Sequence, residues 1–260
     1  MGNESRCAMV TGAAQGVGEA AARRLFADGV TRLVLIDRQA ERLDAVARDL
    51  RGQGAEVEVL MQDLSDVTAA IASVRAAADR AGRVDLLVNA AGTTARGGLA
   101  DTAPDTFDRI FALNVRAAFF TMQTVAPAMP KGAVIVNICS MLAYGGPPFL
   151  LAYSASKAAL VALTRGTANT LKRDGVRVFG INLGWTWTPA EQDVQTRVHG
   201  LPENWRETVG AQQPFGRLLM PEDPAGLIAF LASPDARMMT GAIIDLDQFV
   251  AGTVDDNPGA

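Results

Sequence analysis

Histidine occurs once in these 260 residues, as His199, and cysteine twice, as Cys7 and Cys139. Both cysteines lie in apolar runs that read as buried strands, and neither has the spacing of a metal ligand, so no metal site is expected. A single histidine also leaves out the usual Ser-His-Asp triad, so acid–base chemistry has to use another side chain. No stretch approaches twenty uninterrupted apolar residues, and Met1 to Arg6 holds no signal-like apolar block. Lysine and arginine runs are missing too. With a net charge of −4, that argues against nucleic acid or an anionic membrane as partner. A cytoplasmic protein acting on a small molecule is the expectation.

What the chain has is apolar sequence, 49% of its residues, with no break in composition. That suits one large domain over residues 1–260 better than two small ones. Strand-like runs alternate with helix-like ones: Arg6–Val10, Arg32–Ile36, Glu56–Leu60, Val84–Val88, Lys131–Cys139, Gly175–Asn182 and Ala242–Leu246 read as strands. Right-handed crossovers then give an α/β fold, a Rossmann-type doubly wound parallel sheet of about seven strands with helices on both faces. Thr253 to Ala260 reads as a polar tail.

The first strand runs into Thr11-Gly12-Ala13-Ala14-Gln15-Gly16-Val17-Gly18 and then a helix over Glu19 to Asp28. Strand, glycine-rich turn and helix in that order present free N–H groups to a phosphate, and glycine keeps a Cβ from holding the pyrophosphate away. The second strand ends at Asp37, about twenty residues beyond the last glycine, where a carboxylate can accept from ribose hydroxyls. A carboxylate there repels a 2′-phosphate, and the turn carries no lysine or arginine, so NAD is expected over NADP. Arg38 is the one neighbour that would tolerate the phosphate. Asp63, with Leu64 beside it, either meets the adenine or caps a helix over Ser65 to Arg80. Asn89-Ala90-Ala91-Gly92 closes the fourth strand with small residues that let backbone pass close to a flat ligand.

Ser140 is delivered to the same edge by the fifth strand. Thirteen residues on comes Tyr153, with Lys157 four residues later in an alanine- and leucine-rich helix free of glycine and proline from Leu151 to Leu163. That spacing puts phenol and ammonium on one helical face about a turn apart. A cation beside a phenol favours its oxyanion, which makes the pair a candidate general base for an alcohol proton. Asn114 lies among Phe111, Leu113, Val115, Phe119 and Phe120 in a helical tract from Pro104 to Met129, where a structural hydrogen bond is the ordinary reading.

The rhythm breaks between Glu191 and Gly216, and a lid is expected around residues 186–217. All three tryptophans, Trp185, Trp187 and Trp205, and the histidine fall between residues 185 and 205. With Gln192, Gln195 and Arg197 they form an aromatic and hydrogen-bonding inventory suited to a hydroxylated ring or polyol. Equally, they pack the lid onto the sheet. An acidic group on the substrate would be met by Arg96, Arg197 or Arg206.

These motifs together resemble the short-chain dehydrogenase/reductase family over nearly the whole chain. The resemblance rests on Thr11 to Gly18, Asp37, Asp63, Asn89 to Gly92, Asn114, Ser140, Tyr153 with Lys157, Asn182-Leu183-Gly184, Thr188 and Thr240-Gly241. It implies Tyr153 as acid/base, Lys157 on the nicotinamide ribose, Ser140 on the reacting oxygen and Asn114 holding a relay water. Thr188, with Thr186 nearby, would meet the carboxamide. Two departures stand out: Leu183 where the family usually has proline, and Gln248-Phe249 after Asp247 where it usually has two glycines. The Gly-Trp-Thr-Trp-Thr-Pro and Asp-Leu-Asp-Gln segments are similar to those of some bacterial sugar dehydrogenases of this family. The resemblance therefore implies NAD-linked oxidation of a secondary alcohol or hemiacetal carbon of a sugar or polyol, in a homodimer or homotetramer. A carbonyl or 3-oxoacyl reductase is the alternative within the class, and a non-catalytic NAD-binding regulator or a structural subunit the alternative outside it.

Overall fold

A computed structural model of the chain describes residues 6–253. The readings made above for Met1–Ser5 and for the tail beyond Thr253 lie outside these residues. In chain order the elements are β1 (Cys7–Thr11), α1 (Gly16–Ala27), β2 (Arg32–Asp37), α2 (Ala40–Gly52), β3 (Glu56–Met61), α3 (Val67–Ala81) and β4 (Leu86–Asn89). Then follow α4 (Pro104–Phe111), a widened π-turn over Ala112–Ala117, α5 (Ala118–Val125), β5 (Val134–Ile138), α6 (Leu151–Leu171) and β6 (Arg177–Leu183). Last come α7 (Pro189–Asp193), α8 (Trp205–Gly210), α9 (Glu222–Ala232) and β7 (Ile243–Leu246).

All seven strands are parallel, in the order β3-β2-β1-β4-β5-β6-β7. Every residue of β1, β4 and β5 is buried, as continuous apolar runs require of strands covered on both faces. One apolar cluster lies on the α1, α2 and α9 side, and a second on the α3 and α5 side. The chain order reverses between β1 and β4, and a crevice opens there beyond the carboxyl ends of the strands. Among the described residues no helix is long and apolar enough to cross a membrane.

Two expectations need correction. Helix α3 starts at Val67 and not Ser65, because Asp66 is its cap, accepting from Ala69 N at 3.2 Å, and left-handed Gly82 stops it. Asp63 is therefore no cap. The tract from Pro104 is not one regular helix, since the π-turn interrupts it at Asn114.

Burial pushes both thiols, Cys7 and Cys139, up to about 11. Native protein at pH 8 should leave both unreacted with a disulfide reagent for hours, and denatured protein should titrate two. Rapid labelling of either in the native state would contradict this packing.

Candidate active site

Thr11 ties the glycine-rich turn to the end of β4. Its Oγ1 accepts from the N–H groups of Ala90 and Ala91, each at 3.1 Å, and donates to the Val88 carbonyl at 3.4 Å. The contact is so close that a Cβ on Gly12 would come within 2.8 Å of Ala91 N, and one on Gly18 would overlap the Gly12 carbonyl. Gly12 thus lets the turn pack on the β4 loop, and Gly18 lets the helix start pack on the turn. Gly16 is the glycine at the crevice side, left-handed (φ 60°) and 3.0 Å from Thr188 Cγ2 measured from an ideal Cβ. No side chain caps α1 at Gln15, so the first N–H groups of that helix remain available to an anion. Val17 packs on the core beneath.

The Asp37 carboxylate sits beside this turn, accepting from Ala14 N at 3.1 Å and Gln39 N at 3.0 Å. Two arginines follow Asp37 in sequence, each with another partner. Arg38 lies 3.7 Å from Asp63, and Arg42, not singled out in the sequence, donates to Gln15 Oε1 at 2.6 Å. Arg42 was legible only as one charge on an amphipathic helix. Asp63 accepts from the N–H and hydroxyl of Ser65, which hold its carboxyl below the usual range, with Arg38 adding to the effect. Leu64 turns its side chain into the core and offers only backbone.

Asn89 ends β4, as expected. Its side chain is buried in the sheet, donating to Asn137 Oδ1 at 2.9 Å across the β4–β5 register, and Asn137 donates on to Thr164. Ala90 and Gly92, beyond the strand, are what reach the crevice.

The catalytic candidates do meet. Lys157 is buried, its Nζ donates to the Ile138 carbonyl at 2.8 Å, and it lies 5.7 Å from the centroid of the Tyr153 ring. Ser140, two residues past Ile138, is buried at the start of a short 3₁₀ turn (Met141–Tyr144) that packs on α6, and its Oγ accepts from Leu142 N at 3.2 Å. Asn114 Oδ1 accepts from Thr93 N at 2.8 Å while its Nδ2 donates to Thr93 O and Ser156 Oγ. Ser156 in turn donates to the Tyr153 carbonyl at 2.6 Å. The side-chain amide is thus fully engaged in structural hydrogen bonds. A Cβ on Gly92 would lie 3.4 Å from Asn114 Oδ1 and 3.6 Å from Lys157 Nζ, which brings the β4 loop into the same cluster.

The aromatic segment is mostly self-occupied. Trp185 stacks on buried Trp205 at 5.7 Å and donates to Glu191, which also accepts from Gln195. Trp187 donates to Gln192 at 3.1 Å beneath the Arg206 guanidinium, and Gln192 donates to Glu203. Arg197 is 79% exposed and paired with Asp193. Gln192 and Trp187 are likewise engaged with each other. Thr188 Oγ1 caps α7, accepting from Glu191 N, and Thr186 donates to the Gly184 carbonyl. Arg96 stands over the Phe149 ring at 5.0 Å, and burial, then the charge of Arg96, holds the His199 imidazole below its usual range.

The glycine turn, open helix start and Asp37 fit a dinucleotide, and the residues at the β5–α6 edge fit proton transfer. Geometry of this kind belongs to nicotinamide-dependent oxidoreductases. The family model described as Enoyl-(acyl carrier protein) reductase matches residues 12–248. 4-Formylbenzenesulfonate dehydrogenase of Comamonas testosteroni is 37% identical over 95% of this chain and 98% of its own. Cis-4-hydroxycyclohexanecarboxylate dehydrogenase of Sinomonas cyclohexanicum is 36% identical over 93% and 95%. The actinorhodin polyketide ketoreductase, solved with NADPH, superposes with a TM-score of 0.85 at 30% identity over 94% of this chain and 97% of that one. The chain belongs to the short-chain dehydrogenase/reductase family.

Gly16→Ala should cost roughly 1–2 kcal/mol from left-handed backbone strain and crowd Thr188. We expect NADH affinity, read by ligand fluorescence, to fall at least tenfold. Unchanged affinity would remove Gly16 from the nucleotide site.

Proposed function

We propose that the protein oxidises a secondary hydroxyl of a ring or polyol, a sugar in the first instance and an acidic one by preference, with NAD as acceptor. The observation that carries this is the buried Lys157 ammonium beside Tyr153 at the crevice edge that Ser140 and the glycine turn share. Bound nicotinamide supplies the hydride acceptor. Tyr153 Oη takes the hydroxyl proton while Ser140 Oγ donates to the reacting oxygen. Lys157 stabilises negative charge on the phenol oxygen and holds the ribose, and Asn114 would hold a water that extends the proton relay from Lys157 toward solvent. Thr186 and Thr188 meet the carboxamide.

Asp37 at the end of β2 favours NAD by repelling a 2′-phosphate. Arg38 and Arg42, which follow it in sequence, support the second reading, an NADPH-linked carbonyl reductase, as does the NADPH-bound relative. The preference for an acidic substrate rests on Arg96, whose contact is a ring and not a carboxylate, and on two relatives named for ring compounds bearing an acidic group. Residues 186–217 act as the lid, and the protein works in the cytoplasm. A groove of about 320 Å³ lined by Leu99, Phe107, Leu151 and Ala155 supports pairing of α4 and α6 across a two-fold axis in a homo-oligomer.

A panel of sugars, sugar acids, polyols and cis-4-hydroxycyclohexanecarboxylate, run with NAD and NADP in both directions, tests the assignment. Acidic ring alcohols with NAD should lead, and exclusive NADPH-dependent reduction of acyl ketones would overturn it. Tyr153→Phe should lower kcat by at least a thousandfold with NADH affinity within about threefold, given what general acid–base catalysis contributes. Retained turnover would sink the role of Tyr153. Asp37→Ser should remove the carboxylate that repels a 2′-phosphate and move the NADP/NAD ratio of kcat/KM up by about a hundredfold, on the scale of one to two charge-assisted contacts. A ratio that stays put would place the discrimination elsewhere.

A further inference from the structure

The residues just past β7 touch both legs of the segment that covers the crevice. The carboxylate of Asp247 lies against the backbone of Gly184, where an added Cβ would overlap its Oδ1. Gly184 precedes Trp185, the start of the outgoing leg. Gln248 grips the return leg with both ends of its amide: Oε1 accepts from Phe215 N–H at 2.7 Å and Nε2 donates to the Arg217 carbonyl at 2.6 Å. Backbone pairing joins the legs to each other, with Leu219 N donating to the Trp185 carbonyl and Trp187 N to the Leu219 carbonyl. Arg217 is anchored further by its paired bonds to Asp223.

Between these anchors the side chains bond among themselves. Trp185 to Glu191, Glu191 to Gln195, Trp187 to Gln192, Gln192 to Glu203 and Arg197 to Asp193 all stay within residues 185–203. Such a unit moves as a body, and its motion is set at its ends.

We propose that Gln248 is a positioning residue, forming with Asp247 a clasp across both hinges that sets how readily residues 189–217 lift from the crevice. The proposal rests on the lid reading above. It concerns a position where this chain departs from the glycine usual in its family. A glycine there has no side chain to make either bond, so the clasp belongs to this chain's own substrate handling. Two neutral hydrogen bonds to backbone correspond to about a tenfold change in the opening equilibrium.

Hydrogen–deuterium exchange by mass spectrometry on the whole chain tests this with Gln248→Ala and Gln248→Glu. The glutamate can still accept from Phe215 N–H but cannot donate to Arg217, so it guards against an artefact of truncation. Gln248→Ala should speed exchange about tenfold and Gln248→Glu about threefold in peptides across the whole of 189–217, with peptides of β1, β4 and β5 unchanged. A merely structural role would speed exchange in the sheet and lower the thermal midpoint, which overturns the proposal. Acceleration confined to 213–217, or none, overturns it as well. If wild-type 189–217 exchanges only together with the sheet, the lid reading fails first and the clasp with it.

Discussion

The constraint on which the site depends is a lysine ammonium held out of water with a carbonyl, not a carboxylate, as its hydrogen-bond partner. Removing such a group from solvent costs several kcal/mol unless its surroundings answer the charge. Here the Ile138 carbonyl does so in part, and the Tyr153 ring lies within cation–π range. The remainder is available to whatever negative charge forms on the phenol oxygen or arrives with a ligand. A carboxylate at the same place would have neutralised Lys157 and spent that potential on stability.

Holding the ammonium there takes several separate pieces of chain. Strand β5 supplies Ile138 and, just beyond it, Ser140, while α6 supplies Tyr153, Ser156 and Lys157. The π-turn aims Asn114 at Thr93 and Ser156, which fixes the β4 loop to α6. Thr11 fixes the same loop to the glycine turn. The nucleotide side and the proton-transfer side are thus registered to each other through one loop, Ala90 to Thr93. At Gly92 the loop comes within contact distance of both Asn114 and Lys157.

The parts legible in the sequence were those set by local spacing. Seven parallel strands follow from alternating apolar runs, and the Tyr153–Lys157 pair from a four-residue interval in a helix. Tertiary partners were not legible. Asn89 ends a strand, but alternation sends its side chain into the sheet toward Asn137, a fact of register between strands distant in sequence. Asn114 sits in a turn one residue wider than an α-turn, and periodicity over so few residues does not separate the two. Two carboxylates three residues apart compete to start α3, and Asp66 wins because Asp63 is taken by Ser65. Arg197 was assigned by composition alone, while its pairing with Asp193 is an ordinary i, i+4 contact on an outward face.

The two halves of the crevice are built to opposite rules. On the sheet side, polar side chains find partners far along the chain, as Asn89 does in Asn137 and Asn114 in Thr93 and Ser156, so nothing there moves without breaking buried bonds. On the covering side, partners lie within some dozen residues of one another and the aromatic stack of Trp185 on Trp205 spans the segment from within. Its side-chain hydrogen bonds are local, so those bonds tie it to itself more than to the sheet. Precision is needed where hydride and proton pass, and the long-range bonds supply it there. One chain thus joins a sheet-side half held by long-range bonds to a segment held by short-range ones.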